Sequence, residues 1–331
     1  ITQQICKALQ DSGLDVIFIG VCPTPVLYFS LHTLVVDAGI MITASHNGKE
    51  YNGLKICLGT RSIWGNEIQE ILKICKSDLK ISPVYGGTYQ EKEVIPAYVD
   101  WMVTHFSDLV ESPTSYVIDC GNGAAGTLLP QLIAAFKWPN VTLLHEHVDG
   151  TYPNHEADPT VEKNMVCVRE ALKNSDISCG IGLDGDCDRM TPLTRSGELV
   201  AGDRLLALFA QDLLCVHPGA SIVFDIKCSG VLSQMIEKWG GVPRMVPSGH
   251  SIIKHSMKER NALLAGELSC HFFFKDDYFG YDDGIYAALR LMRMIRNAKK
   301  TLDELLLQIP KTFTTKEARI ACDTAVTPKL L

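Results

Sequence analysis

The sequence predicts an α/β protein of three consecutive α/β domains with mixed sheets around a central cleft. Strand-like apolar runs alternate with amphipathic stretches along the chain, the alternation restarts near Ser115 and again near Ser221, and 331 residues exceed what one small core organises. No low-complexity linker separates the units, so closely abutting domains are expected.

In the first unit the runs "DVIFIG", "GIMITA" and "GLKICL" precede an amphipathic stretch at 67–76. Residues 16–36 carry no charge and are long enough to span a bilayer. They include Pro23, Thr24, Pro25, Ser30, His32 and Thr33, which excludes a continuous apolar helix. Thr24-Pro25 predicts a helix N-cap followed by proline in the first turn. The second unit carries "SYVIDC", "VTLLHEH" and "SCGIGLD" around helical patterns at 127–136 and 164–173. The third carries "SIVFDI", "VPRMVP" and "ALLAGEL" with helical patterns at 204–215 and 231–239. The expected divisions are 1–93, 94–195 and 196–310, with "KTFTTKEARIACD" opening a further strand in 311–331. The chain begins inside a helical pattern without a methionine and reads as a fragment.

An apolar fraction of 46% and a charged fraction of 21% are those of an ordinary globular protein. The net charge is −7 and lysines and arginines are not clustered, which argues against nucleic acid as a partner. Neither a signal peptide nor a membrane anchor is visible. The twelve cysteines form no C-x-x-C pair and no zinc spacing. Cys57, Cys120 and Cys228 sit in or beside apolar runs as small hydrophobes, which predicts a reducing cytoplasm.

Three loops carry candidate chemistry. In "MITASHNGKEYNGLKI" an apolar run ends in Ser45 and His46, and the next run brings Lys55. No G-x-S-x-G surrounds a serine, and neighbours on an extended strand point to opposite faces, so His46 is a poor base for Ser45. In "GLDGDCDRM" a strand ends in Asp184, Asp186 and Asp188, followed by Arg189. At about 4 Å and an effective dielectric of about 20, each carboxylate pair repels by roughly 4 kcal/mol. A hard cation such as Mg²⁺ or Ca²⁺ would relieve this, and the carboxyl end of a strand is a usual ligand position. A solvated acidic turn is the alternative. An EF-hand is excluded, because Arg189 and Arg195 stand where its glycine and glutamate belong. In "AGELSCHFFF", Glu267, Ser269 and His271 alternate; if extended they share one side and suit vicinal hydroxyls, whereas a plain hairpin turn would give them no such role. A fourth signal, "GNGAAG" at 121–126 with Glu146 beyond it, has the form of a dinucleotide fingerprint but also marks any tight strand-to-helix turn.

In this order and spacing, "TASHNGKEYNGLKI", "GLDGDCDR" and "GELSCHFFF" resemble the α-D-phosphohexomutase superfamily, most closely its bacterial phosphomannomutase/phosphoglucomutase enzymes. "CGNGAAG", "VDGTYPNHEADPT", "FDIKCSG", "PSGHSIIK" and "YFGYDDGIYAALRL" extend the resemblance over essentially the whole chain. It makes "GNGAAG" a structural turn and implies a phosphohexomutase, an isomerase-class phosphotransferase.

By resemblance, Ser45 carries the phosphoryl group, and its phosphate with Asp184, Asp186 and Asp188 holds one Mg²⁺. Arg189 stands beside the phosphoryl group. Lys55 is the general acid/base, its pKa expected to be lowered beside a cation and Arg189, and His46 orients the loop. Glu267 and Ser269 hold sugar hydroxyls, His271 touches substrate or assists proton transfer, and Lys227, His250 and Arg204 line the cleft. Arg204 also reads as an ordinary helix-start surface residue. The implied partners are a hexose phosphate substrate and glucose or mannose 1,6-bisphosphate as activator, in a cytoplasmic monomer without nucleic-acid or membrane contacts.

Departures are also visible. Gly48 replaces the proline common after Ser-His-Asn, Cys187 stands where many members have glycine, and Cys270 replaces a small residue. By resemblance, the family's C-terminal fourth domain, which binds the non-transferring phosphate, is expected to be almost entirely missing from this sequence, as are early N-terminal residues. The chain is therefore expected to keep the serine and metal sites while binding hexose phosphate weakly. Competing readings are phosphoglucosamine mutase, which the leucine in "GELSCH" disfavours, and a non-catalytic sugar-phosphate or metal-binding protein.

Overall fold

The computed structural model describes residues 1–77, 86–173 and 177–312. The first unit runs α1 (Thr2–Asp11), β1 (Val16–Phe18), α2 (Thr24–Thr33), β2 (Ala38–Ile42), β3 (Leu54–Leu58), β4 (Arg61–Ser62), α3 (Asn66–Lys76) and β5 (Tyr89–Glu91). The second follows with α4 (Ile95–His105), β6 (Ser115–Asp119), α5 (Leu129–Phe136), β7 (Val141–Leu144), α6 (Val166–Ala171), β8 (Ile177–Leu183) and β9 (Met190–Leu193). The third comprises α7 (Gly202–Val216), β10 (Ser221–Asp225), α8 (Gly230–Lys238), β11 (Val242–Val246), α9 (His250–Glu259), β12 (Leu264–Gly266), β13 (Phe272–Phe274), α10 (Gly284–Ala298) and α11 (Leu302–Leu306). Every strand-like run singled out within these residues forms a strand. The expected strand at 311–323 lies outside the described residues except for its first two.

The second and third units share one plan. Their sheets are ordered β7-β6-β8-β9 and β11-β10-β12-β13, with three parallel strands closed by an antiparallel edge strand. The central strands β6 and β10 are buried along nearly their whole length, as strands covered on both faces must be. The first unit differs: β2-β3-β4 is wholly antiparallel, and β1 pairs in parallel with β5. The short strands β4, β5 and β9 escape sequence reading, being too brief or too polar to show an apolar run.

The units are welded by a continuous apolar core containing Phe29, Tyr98, Phe106, Phe209, Phe272 and Tyr286. Asp283 caps α10 by accepting from the Ile285 and Tyr286 N–H groups at 2.9 and 2.8 Å, and also accepts from the Tyr98 hydroxyl at 2.8 Å. The start of α2 corrects the expected cap. Pro23 is the N-cap and Thr24 the first helical residue, so the Thr24 hydroxyl is free to donate to Asp186 Oδ2 at 2.7 Å. None of the described helices is long and apolar enough to cross a membrane.

The glycine-rich turn after β6 packs backbone on backbone. A Cβ on Gly126 would lie 1.7 Å from the Glu146 carbonyl oxygen, and one on Gly123 2.6 Å from that of Gly185. The Ala124 N–H donates to the Gly185 carbonyl at 2.9 Å, so the turn braces the aspartate loop. Gly126→Ala is expected to lower stability by about 2–3 kcal/mol, read as a reduced urea midpoint.

Candidate active site

The serine loop and Lys55 meet because β2 and β3 pair antiparallel, with Met41 opposite Lys55 and Ile42 opposite Leu54. Ser45, three residues past β2, has φ +55°, a left-handed conformation unusual for a side-chain-bearing residue. Its N–H donates to Thr43 Oγ1 at 2.8 Å. Because the loop is not extended, strand alternation does not hold there. Ser45 Oγ lies 3.1 Å from His46 Nδ1, which corrects the expectation that the two side chains diverge. Burial and the nearby Arg189 charge lower the His46 pKa, keeping the ring neutral.

The loop between β8 and β9 turns its three aspartates inward. Asp184, Asp186 and Asp188 are all buried, and one oxygen from each lies within 4.8 Å of the others. Ser45 Oγ donates to Asp184 Oδ2 at 3.3 Å, and Arg189 Nε donates to the same oxygen at 2.9 Å. Burial and the Asp188 charge push the Asp184 carboxyl pKa up. Asp186 Oδ2 accepts from Thr24 and from Lys55, both at 2.7 Å, while its Oδ1 is buried without a hydrogen-bond partner. A buried, unsatisfied carboxylate oxygen amid hard oxygen donors fits a small divalent cation such as Mg²⁺.

Lys55 also pairs with Asp188. The expected lowering of its pKa is reversed. Burial opposes the charge, but Asp188 and Asp186 together raise the Lys55 pKa well above its ordinary value. Lys55 clamps the carboxylates rather than facing a cation, so in this arrangement it holds its proton.

The third loop is a tight turn rather than an extended segment. Glu267 and His271 share a backbone hydrogen bond, and the Cys270 N–H donates to the Glu267 carbonyl at 3.0 Å. This closure, not strand alternation, brings the side chains together. His271 Nδ1 lies 3.1 Å from Glu267 Oε2 and 3.0 Å from Ser269 Oγ, and its Nε2 is 3.3 Å from Asp188 Oδ1. Burial lowers the imidazole's proton affinity, but Asp188 and Glu267 override it and raise the His271 pKa to about 10.

His250 opens α9 and stacks on His271 at 6.2 Å between ring centroids; burial and Lys254 push its pKa down to about 4. Arg204 pairs with Glu198 at 2.6 Å at the start of α7, whose Gly202 abuts the Glu267 carbonyl. Lys227 is exposed in the loop after β10.

Sequence reasoning missed Asp282, Lys254, Asp225 and Asp158. Fully buried Asp282 holds Lys254 Nζ at 2.9 Å and His250 Nδ1 at 3.5 Å, and Lys254 lies 4.3 Å over the Tyr28 ring. Asp225 accepts from Ser248 Oγ at 2.6 Å and from the Leu268 N–H at 3.0 Å, bracing the third loop. Asp158 faces Arg189 at 3.8 Å. The paired aspartates of "YDDG" before a helix were the available signal for Asp282; the others sit singly in ordinary contexts.

Three family models for phosphoglucomutase/phosphomannomutase match in order: α/β/α domain I over residues 1–81, domain II over 96–197 and domain III over 201–313. The chain is 40% identical over 319 residues to phosphoglucomutase of Neisseria gonorrhoeae, covering 96% of this chain and 68% of that protein. It is 38% identical over 321 residues to phosphomannomutase/phosphoglucomutase of Pseudomonas aeruginosa PAO1, covering 97% and 68%. A crystal structure of a Burkholderia thailandensis phosphoglucomutase/phosphomannomutase family protein superposes with a TM-score of 0.87 at 35% identity, over 95% of this chain and 69% of that one. A three-unit fold converging on a serine and three aspartates thus defines a phosphohexomutase, and the chain belongs to the phosphoglucomutase/phosphomannomutase family. It is a mutase of the isomerase class.

Removing Lys55 strips away the cation that Asp186 and Asp188 share, leaving, among the described residues, Asp188 only His271 and Asp186 only the Thr24 hydroxyl. Lys55→Met is expected to cost about 3 kcal/mol without divalent cation, measured by urea unfolding, with Mg²⁺ recovering part of the loss. The His271 pKa is raised from 6.5 to about 10 on folding, so its contribution is complete below pH 6.5 and lost as pH rises towards 10. In metal-free protein, the fall in Tm over this window should flatten in His271→Gln.

Proposed function

We propose that this chain interconverts hexose 1-phosphate and hexose 6-phosphate, with glucose or mannose as the sugar, through phospho-Ser45 and a hexose 1,6-bisphosphate. The observation that carries the reading is Ser45 Oγ at 3.3 Å from Asp184, within a cluster that also gathers Asp186, Asp188, Lys55 and His271. A serine facing a buried acidic cluster suits a phosphate carrier better than an acyl nucleophile.

Asp184, Asp186 and Asp188, with the phosphate on Ser45, would hold Mg²⁺, which when bound withdraws charge from the phosphoryl oxygens. In the forward half-reaction a sugar hydroxyl oxygen bonds to phosphorus, the bond from phosphorus to Ser45 Oγ breaks, and the proton lost by the hydroxyl is balanced by one taken up at the Ser45 oxygen. Lys55 would take the hydroxyl proton only once Asp186 and Asp188 are claimed by Mg²⁺, since while they clamp it the ammonium keeps its own, and His46 faces the released Ser45 oxygen. Arg189 is kept charged and has a buried, unpartnered Nη2 with which to meet a phosphoryl oxygen. Phosphoryl transfer asks mainly for this kind of positioning and charge.

Glu267 and Ser269 hold vicinal hydroxyls, His271 adds a charged donor, and His250, Lys227 and Arg204 line the cleft. The bisphosphate turns end for end and returns its other phosphate to Ser45, which these hydroxyl contacts permit in both poses. Glucose or mannose 1,6-bisphosphate restores the phosphoserine when it is lost. We assign the serine loop to a domain at 1–93, the aspartate loop to 94–195 and the sugar loop to 196–310; the expected start of a fourth domain at 311–331 lies, past residue 312, outside the described residues. On this reading the enzyme acts as a cytoplasmic monomer on free sugar phosphates.

Treatment with glucose 1,6-bisphosphate is expected to phosphorylate Ser45, detected by phosphopeptide mass spectrometry, and Ser45→Ala should abolish both the label and mutase turnover. Coupled assays of the full-length protein with glucose, mannose and glucosamine 1-phosphates should favour the first two. An unlabelled Ser45 would point instead to a sugar-phosphate-binding relative.

A further inference from the structure

Behind the aspartate loop, at the carboxyl ends of β6 and β7, lies a second constellation that the mutase reading does not use. Asp119 ends β6 and is buried, His145 directly follows β7, and His155 comes from the loop beyond. His145 Nδ1 is 2.9 Å from Asp119 Oδ1, and His155 Nε2 is 3.0 Å from Asp119 Oδ2. One ligand atom from each residue lies within 4.8 Å of the others.

The outer contacts fix how these atoms face one another. His155 Nδ1 lies 2.8 Å from the Glu156 carbonyl, which can only accept, so Nδ1 carries a hydrogen. In the neutral ring, Nε2 therefore turns a lone pair towards a carboxylate oxygen at 3.0 Å. Two acceptors at that distance need a cation between them, a proton or a metal ion. Metal-binding histidines commonly donate their other nitrogen to a carbonyl in this way, and ligating carboxylates are themselves hydrogen-bonded. Here the Gly121 N–H donates to Asp119 Oδ1 at 2.8 Å. The histidine side chains are 16% and 13% exposed against 2% for Asp119, so the cluster opens to solvent on the histidine side.

We propose that Asp119, His145 and His155 form a divalent transition-metal site of the zinc type, with a water as fourth ligand. Two imidazole nitrogens and one carboxylate oxygen suit Zn²⁺ and are a poor set for Mg²⁺, which prefers oxygen. Zinc–ligand bonds of about 2.0–2.1 Å in a tetrahedron separate ligands by roughly 3.3 Å; the two histidine–carboxylate contacts, one to each Asp119 oxygen, would open by a few tenths of an ångström, and the three ligand atoms already lie within 4.8 Å of one another. The ion would clip residues 145–155 to β6, whose following turn braces Gly185.

The test uses Co²⁺ as a coloured stand-in for Zn²⁺, titrated into chelator-stripped, reduced protein at saturating Mg²⁺. We expect one Co²⁺ per chain with the visible absorption of tetrahedral cobalt, displaced by Zn²⁺ and retained in Asp184→Asn. His145→Ala and His155→Ala, with folding checked by circular dichroism, should each weaken binding by more than the roughly 10–100-fold that loss of an outer-sphere partner costs. Absence of such binding in the wild-type chain overturns the proposal without recourse to any variant, leaving a carboxylate–imidazolium cluster. Binding that survives in both histidine variants, or is lost in Asp184→Asn alone, overturns it equally.

Discussion

The structure depends on how three mutually repelling carboxylates are kept together. Asp184, Asp186 and Asp188 are buried within one small volume, where each pair would repel by roughly 4 kcal/mol at about 4 Å and an effective dielectric of about 20. Their countercharges come from all three units: Lys55 from the first, Arg189 from the second and His271 from the third. The aspartate loop is therefore compensated only when the units are docked. The continuous apolar core that joins them supplies the area that makes such docking favourable.

Each of the three loops also holds a residue in the left-handed region. Ser45, Cys187 and Cys270 have φ of +55°, +64° and +70°. For a residue with a Cβ this costs on the order of 1 kcal/mol. Cys187 and Cys270 are the positions where this sequence departs from glycine or a small residue, and both are buried. Their carbonyls accept from Gly284 and Met190, so the strained turns are held by backbone bonds on either side. At Ser45 the same conformation turns the hydroxyl towards Asp184 and its neighbour His46.

A second set of contacts supports the loops from behind. The glycine turn after β6 meets Gly185 backbone to backbone, Asp225 holds the third loop through Leu268, and Asp282 anchors Lys254 and His250. The side chains of the three loops are thus mounted on residues that are themselves fixed by buried hydrogen bonds.

The sequence by itself determined the α/β class, the three restarts and the three chemical loops, because buried parallel strands leave apolar runs and inward-turned aspartates leave a spacing that survives without coordinates. Ser45, Lys55 and the aspartates were legible because each follows or opens such a run. Only the tertiary structure decided which side chains touch. Local alternation rules failed at Ser45–His46 and did not apply at Glu267–His271, since both segments are turns closed by short-range hydrogen bonds, Ser45 N–H to Thr43 Oγ1 and Cys270 N–H to the Glu267 carbonyl. Thr24 was read as a helix cap, yet its hydroxyl serves Asp186, a partner 162 residues away. The charge state of Lys55 likewise depended on two aspartates brought to it from another unit, because a pKa is fixed by the neighbours packed around a group and not by those beside it in the chain.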